Sequence, residues 1–156
     1  MMPLGKKRVP RLAVLLLVGN LLFIWGKSLL PASLSGALSQ WLRDLLGLMS
    51  GEGTGGSDGV LRKIAHFSEF CTLGILLGWI FSALKKRKQT VVCLTAVCGL
   101  TVACVDEMLQ HFAAGRAPRL TDVAIDCAGV LAGIGLLGLG YAIKMKQSNQ
   151  FGGKQQ

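Results

Sequence analysis

The sequence predicts an all-α protein, a polytopic bundle of four transmembrane helices with an extracytoplasmic interfacial helix between the first and second of them. Of its 156 residues, 51% are hydrophobic and only 16% are charged, whereas a soluble domain usually has about 25% charged residues. The charged residues also lie in short clusters between long apolar runs, a pattern typical of integral membrane proteins.

Four apolar runs are the predicted membrane spans, and they cover residues 12–30, 64–84, 90–109 and 123–143. Each has about the 20 residues that a helix needs to cross roughly 30 Å of hydrocarbon. The runs are apolar on all sides over most of their length, whereas a core helix of a soluble protein would carry a polar face. We therefore predict a membrane domain over residues 12–143, between a basic tail (1–11) and a flexible tail (144–156).

The first run has an alternative interpretation as a cleaved signal peptide. It follows a basic start, and small side chains occur after it at residues 35–37. The run is long for the apolar region of a signal peptide, and Pro31 precedes any convincing cleavage site. For these two reasons we expect a retained helix that serves mainly as an anchor and packing partner. Cleavage would leave three spans.

The longest connection, residues 31–63, is predicted to contain an amphipathic helix. Apolar residues recur at helical spacing over residues 34–49, and Ser33 is a suitable N-cap. Such a helix could lie in the outer membrane interface or pack across the mouth of the bundle, and both positions stay open. The glycine-rich residues 51–59 are predicted to be a flexible linker.

Basic residues predict the orientation. Eleven of the 17 lysine and arginine residues lie in three segments that contain no acidic residue, 1–11, 85–89 and 144–156. Four crossings place these segments on one side, which the positive-inside rule makes cytoplasmic. The expected location is the cell membrane, with both termini in the cytoplasm. The net charge of +9 is then a topology signal, and no basic surface with interleaved aromatic residues suggests nucleic-acid binding.

Polar residues of three helices and one connection then converge on the outer leaflet. A charged side chain in hydrocarbon costs about 2.5–3.5 kcal/mol on insertion scales, so these groups should face the bundle interior or water. Their concentration predicts a functional site. The candidates are Lys63, His66, Glu69, Asp106, Glu107, Gln110, His111, Arg116, Arg119, Asp122 and Asp126.

Helical spacing supports a shared pocket. Asp106 and Gln110 are four residues apart, as are Asp122 and Asp126, so each pair shares a helix face. Arg116, in the connection between the third and fourth spans, is the expected counter-charge for these carboxylates.

The face of the fourth span that carries Asp126 continues as Gly129 and Gly133. A small-xxx-small face lets two helices approach closely. We therefore expect this span to pack against a neighbour through its glycines.

Two motifs resemble the signatures of the VanZ-like family. They are Lys63-x2-His66-Phe67-x-Glu69-Phe70-x2-Leu73 and Asp106-Glu107-x2-Gln110-x-Phe112-x2-Gly115-Arg116, followed by Asp122 and Gly129. The resemblance covers residues 60–135. The chain departs from the family pattern at Phe70, where a tyrosine is usual, and at Asp126, where an asparagine is usual. The resemblance implies a bacterial membrane protein of a family named for low-level resistance to the glycopeptide teicoplanin.

Two main hypotheses about function follow, and they differ in whether the polar cluster binds a ligand or only holds the helices together. In the first, the protein binds or modifies an amphiphilic envelope molecule in the outer leaflet, either a lipid-linked wall component or a lipoglycopeptide. The residues expected to bind it are Lys63, Gln110, Arg116, Asp122 and Asp126. Those expected to transfer protons, if bonds are made or broken, are His66, Glu69, Asp106 and Glu107.

In the second hypothesis, the protein is a non-enzymatic membrane scaffold or interaction protein, and its buried charges form a structural ion-pair network. A metal site is a third, weaker possibility. The chain has a single His-x2-Glu pair, at His66 and Glu69, and no HExxH motif. We therefore predict neither a metal nor another cofactor.

Overall fold

A computed structural model describes residues 9–45, 55–84 and 87–152, and within these ranges the chain is helical with no β-strand. The helices are α1 (Arg11–Ser28), α2 (Ala32–Leu45), α3 (Gly55–Ala83), α4 (Lys88–Phe112) and α5 (Leu120–Gly152). α1, α3, α4 and α5 are each long and apolar enough to cross a membrane. The predicted all-α bundle of four membrane helices is therefore confirmed.

Two helices extend beyond the apolar runs that predicted them. α3 begins at Gly55, so the second half of the predicted linker is helical, whereas residues 51–54 lie outside the described residues. α5 continues past Ile143 to Gly152, through most of the predicted tail, and residues 153–156 again lie outside. An established helix gains one hydrogen bond for each residue added, so its ends need not coincide with the ends of its apolar run.

The amphipathic helix of the first connection is α2. The backbone N–H of Ala32 donates to the carbonyl of Ala114, in the connection between α4 and α5, over 3.0 Å. Leu34 and Trp41 are exposed. The start of α2 is thus attached to the bundle while apolar side chains face outward, which is compatible with both predicted positions.

α3 is the central helix, because it contacts each of the other four. Its buried residues form one core with residues of α1, α4 and α5. This core consists of Ile24, Phe70, Leu73, Leu77, Ala103 and Val130. Many other large apolar side chains, such as Leu15 and Leu22 of α1, are exposed, as expected for helices whose outer surfaces face lipid.

Glycines allow α3 and α5 to approach closely. A Cβ atom added at Gly129 would lie 2.5 Å from the carbonyl oxygen of Phe67, and one at Gly133 would overlap the carbonyl oxygen of Cys71. Gly74 of α3 lies in the same way against the backbone of Val130. The predicted packing of the glycine face of the fourth span is confirmed, and α3 is its partner.

The direction of the helices gives the bundle two chemically different ends. At the acidic end, α1 and α4 finish and α3 and α5 carry His66 and Asp126. At the basic end, α4 starts at Lys88, and α5 carries Lys144 and Lys146.

Candidate functional site

Asp106 lies at the centre of a buried polar cluster at the acidic end and is fully buried. The Ser28 hydroxyl donates to its Oδ1 over 2.5 Å, and the Gln110 amide donates to its Oδ2 over 3.0 Å. His66 Nδ1 lies 4.0 Å from the same Oδ2. Asp106 thus connects the end of α1, the first membrane turns of α3 and the last turns of α4.

His66 and Asp126 form the second part of the cluster. His66 Nδ1 lies 3.2 Å from Asp126 Oδ1, and the two residues are 2% and 0% exposed. A proton on Nδ1 that is shared with the carboxylate leaves Nε2 of the neutral ring as an acceptor. His66 Nε2 and Asp126 Oδ2 are both buried, and neither has a hydrogen-bond partner among the described residues. Because buried polar atoms are normally paired, these two have capacity for an additional group.

Two ion pairs neutralise other carboxylates of the cluster. Lys27 Nζ of α1 lies 2.7 Å from Glu69 Oε2. Arg62 Nη2 of α3 lies 2.8 Å from Asp122 Oδ2. A buried carboxylate without a cation is strongly unfavourable, so both pairs help to hold charged groups inside an apolar bundle.

Glu107 joins the end of α4 to the start of α5. The Gln110 amide nitrogen donates to its Oε1 over 3.0 Å, and the backbone N–H of Arg119 donates to its Oε2 over 2.6 Å. Gln110 therefore bridges Asp106 and Glu107 with one amide nitrogen. The first N–H groups of a helix lack partners within the helix, and Glu107 supplies an acceptor beside the start of α5.

Arg116, in the connection between α4 and α5, is half-buried. Its Nη1 atom is buried and has no hydrogen-bond partner in the part of the chain that the structure describes. Burial lowers the pKa of Arg116 and nearby Arg62 lowers it further, while Asp106 and Glu107 oppose the shift. A guanidinium stays protonated in proteins, so Arg116 carries a positive charge with an unused donor.

The structure brings most of the sequence-predicted residues together. Buried in the cluster are His66, Glu69, Asp106, Glu107, Gln110, Asp122 and Asp126. Arg116 lies at its edge, and Arg119 contributes through its backbone. Lys63 and His111 are exposed, and the ring of His111 packs edge-on against Phe112.

Three partners were missed by the sequence analysis: Lys27, Ser28 and Arg62. The sequence could have indicated a partner for Lys27, because it is the single charged residue within the first apolar run. A lysine inside the membrane is unfavourable unless it is paired. Arg62 lies one helical turn before His66. Arg116 was the expected counter-charge, yet Glu69 is paired with Lys27 and Asp122 with Arg62.

Part of the cluster brings together groups that could hold a cation. His66, Asp106 and Asp126 each offer one ligand atom, and these atoms lie within 4.8 Å of one another. The two separations from His66 Nδ1, 3.2 and 4.0 Å, bracket the spacing of roughly 3.4 Å that ligands have around a tetrahedral ion with bonds of about 2.1 Å. One imidazole and two carboxylates suit ions such as Zn²⁺ or Mn²⁺.

A family model described as VanZ/LLP1 matches residues 12–141. The matched region includes α1 from Leu12 onwards and most of α5, so it extends beyond residues 60–135, which the resemblance of the two motifs covers. Comparisons with curated proteins and with solved structures found no match.

Proposed function

The chain belongs to the VanZ/LLP1 family, and from that premise we propose that it binds, and through His66 modifies, the anionic head group of an amphiphilic envelope molecule. The observation that carries the proposal is a pair of groups with unused hydrogen-bonding capacity at one end of a membrane bundle. These groups are the buried His66 ring, held by Asp126, and the guanidinium of Arg116.

His66 is the group suited to proton transfer. With Nδ1 held by Asp126, Nε2 can take the proton from a water or hydroxyl whose oxygen forms a bond to the phosphorus or carbonyl carbon of the head group. It can then return this proton to the oxygen whose bond to the same atom breaks. The other three candidates, Glu69, Asp106 and Glu107, already accept hydrogen bonds from protein groups. In this proposal these three carboxylates hold the helices around the His66 ring and do not transfer protons.

Arg116 is the group suited to bind the head group. A guanidinium donates two parallel hydrogen bonds to a phosphate or carboxylate. Arg116 lies in a connection beyond the end of α4, where the polar head of a membrane amphiphile would lie while its tail stays in the hydrocarbon.

The positive-inside rule supports an outer-leaflet position for the acidic end. The substrate class is then a lipid-linked wall component or a lipoglycopeptide, and the expected phenotype is lower susceptibility to teicoplanin. Lys63 lies at the exposed edge of the proposed binding region. Gln110, Asp122 and Asp126, the other predicted binding residues, already contact Asp106, Arg62 and His66, so in this proposal they hold the region in place and do not contact the anion.

The test is teicoplanin susceptibility in cells that express the wild type, Arg116→Ala or His66→Gln at matched membrane abundance. We expect the wild type to raise the minimum inhibitory concentration and both variants to lose most of that increase. Arg116 forms no ion pair among the described residues, so Arg116→Ala should leave abundance unchanged. Arg87→Ala is the matched control, since Arg87 is exposed at the basic end and should protect like the wild type.

Two results would count against the proposal. Full protection by Arg116→Ala would remove the anion-binding role of this residue. If both variants are less abundant than the wild type at equal expression, and protect fully once abundance is matched, the non-enzymatic scaffold with a structural ion-pair network would be favoured.

A cation-assisted function is the second candidate, favoured by the cluster of ligand atoms on His66, Asp106 and Asp126. We expect the purified protein to retain a single divalent ion per chain, to lose it to a chelator, and to lack it in His66→Ala and Asp126→Ala. Elemental analysis measures this content. His111→Ala is the control, because His111 is exposed outside the triad. Equal metal content in His66→Ala and the wild type would exclude this site.

A further inference from the structure

The basic end contains a cleft of about 700 Å³ between α3, α4 and α5. Its apolar lining includes Val91 and Val92 of α4 and Ile134, Leu137 and Tyr141 of α5. None of the residues of the acidic-end cluster lines it.

The charged residues that line this cleft are all positive. Lys88 and Lys144 line it, and no aspartate or glutamate is among its lining residues. An apolar interior with cations at one end is complementary to a molecule that has a hydrocarbon tail and an anionic head. The volume lies within the range of about 300–1,000 Å³ that is usual for ligand pockets.

The positions of the lining residues along the helices separate charge from apolar surface. Lys88 is the first residue of α4, and Val91 and Val92 follow about one turn deeper. On α5, Lys144 lies ten residues after Ile134, so the lining extends over roughly 15 Å of helix at 1.5 Å per residue. That length is about half of a hydrocarbon core of roughly 30 Å, the thickness of one leaflet.

We propose that this cleft binds an anionic phospholipid of the leaflet at the basic end. One acyl chain lies against Val91, Ile134 and Leu137, and the phosphate group contacts Lys88 and Lys144. Basic residues near a membrane surface each attract anionic lipid with about 1 kcal/mol. The proposal does not depend on the function proposed for the acidic end, because the two sites share no residue.

Gly138 provides a sharp test. It lines the cleft, and a Cβ atom added there would meet no protein atom within 4 Å. Gly140 has equally open surroundings but does not line the cleft. Gly138→Leu should therefore place an apolar side chain in the cleft, where an acyl chain would lie, while Gly140→Leu makes the same chemical change outside it.

The experiment is native mass spectrometry of the purified protein titrated with phosphatidylglycerol or with phosphatidylcholine of the same acyl chains. We expect the wild type to bind phosphatidylglycerol more tightly, Gly138→Leu to lose this binding and Gly140→Leu to keep it. Lys88→Gln and Lys144→Gln should each weaken the phosphatidylglycerol affinity by about fivefold. Lys146→Gln should not, since Lys146 is exposed and does not line the cleft.

Three results would overturn the proposal. They are equal affinity of the wild type for the two lipids, undiminished phosphatidylglycerol binding by Gly138→Leu, and a wild-type dimer that Gly138→Leu converts to a monomer. The dimer would show that a second copy of the chain occupies the cleft. If Gly138→Leu fails to fold, an unchanged phosphatidylglycerol affinity of both Lys88→Gln and Lys144→Gln would overturn the proposal.

Discussion

Lys27 and Ser28, the last two residues of α1, contact carboxylates on two other helices. Lys27 pairs with Glu69 of α3, and the Ser28 hydroxyl donates to Asp106 of α4. The expectation that the first span serves mainly as an anchor and packing partner is therefore too narrow. Removal of α1 would leave Glu69 without its cation.

The Lys27–Glu69 pair can be measured with a double-mutant cycle. Lys27→Leu leaves Glu69, which is only 9% exposed, without its counter-charge and should lower the free energy of unfolding by about 1–3 kcal/mol. The double variant Lys27→Leu/Glu69→Leu should be less destabilised than the sum of the two single variants, because it buries no unpaired charge. Equilibrium unfolding in mixed micelles gives the change in unfolding free energy for the two single variants and the double variant.

Strict additivity of the three values would show that the two side chains do not interact. Met108→Leu is a suitable reference for the method, since Met108 is exposed and its substitution should change the unfolding free energy little.

At the scale of elements, the contact between α3 and α5 positions the site. Gly129 and Gly133 bring the backbone of α5 against that of α3, and the same contact places Asp126 beside His66. Close packing through glycines favours association in membranes, where van der Waals contact replaces the hydrophobic effect as a driving force.

Alanine substitutions at two glycines of α5 distinguish the effect of close helix packing on stability from the effect of helix propensity. Gly133→Ala inserts a methyl group against the Cys71 backbone and should lower the unfolding free energy by about 1–3 kcal/mol. Gly135→Ala meets no atom within 4 Å, so it should be neutral or stabilise the helix by up to about 1 kcal/mol. Thermal unfolding in detergent compares the two, and equal midpoints would contradict the packing role of Gly133.

At the scale of the whole molecule, the bundle is chemically asymmetric. Carboxylates, His66 and Arg116 gather at the end where α1 and α4 finish, and lysines occur at the opposite end. The two proposed binding sites therefore lie at opposite ends of the bundle.

Reporter fusions can test which end of the bundle faces the cytoplasm. If the basic end is cytoplasmic, a green fluorescent protein fused after Gln156 should fluoresce. An alkaline phosphatase fused at the same position, in place of the fluorescent protein, should be inactive. Phosphatase inserted within residues 51–54, between α2 and α3 in the sequence, should be active. Reversed activities would place the acidic end in the cytoplasm and remove the outer-leaflet part of the proposed function.

The sequence by itself determined the four spans and the segregation of charge between the two ends. Apolar length and local charge are properties of contiguous segments, so residues 64–84 or the basic 85–89 show them without knowledge of any partner. The spacing of Asp106 and Gln110 likewise predicts a shared helix face, which their hydrogen bond confirms.

Only the tertiary structure decided which basic residue pairs with which carboxylate. Lys27 and Glu69 are 42 residues apart, and Arg62 and Asp122 are 60 apart. Helical periodicity shows which residues share a face, but it contains no information on how each helix is rotated about its axis towards its neighbours. That rotation follows from packing across the bundle, and it pairs α1 with Glu69, leaves Arg116 with an unused donor, and opens the cleft between the lysines of α4 and α5.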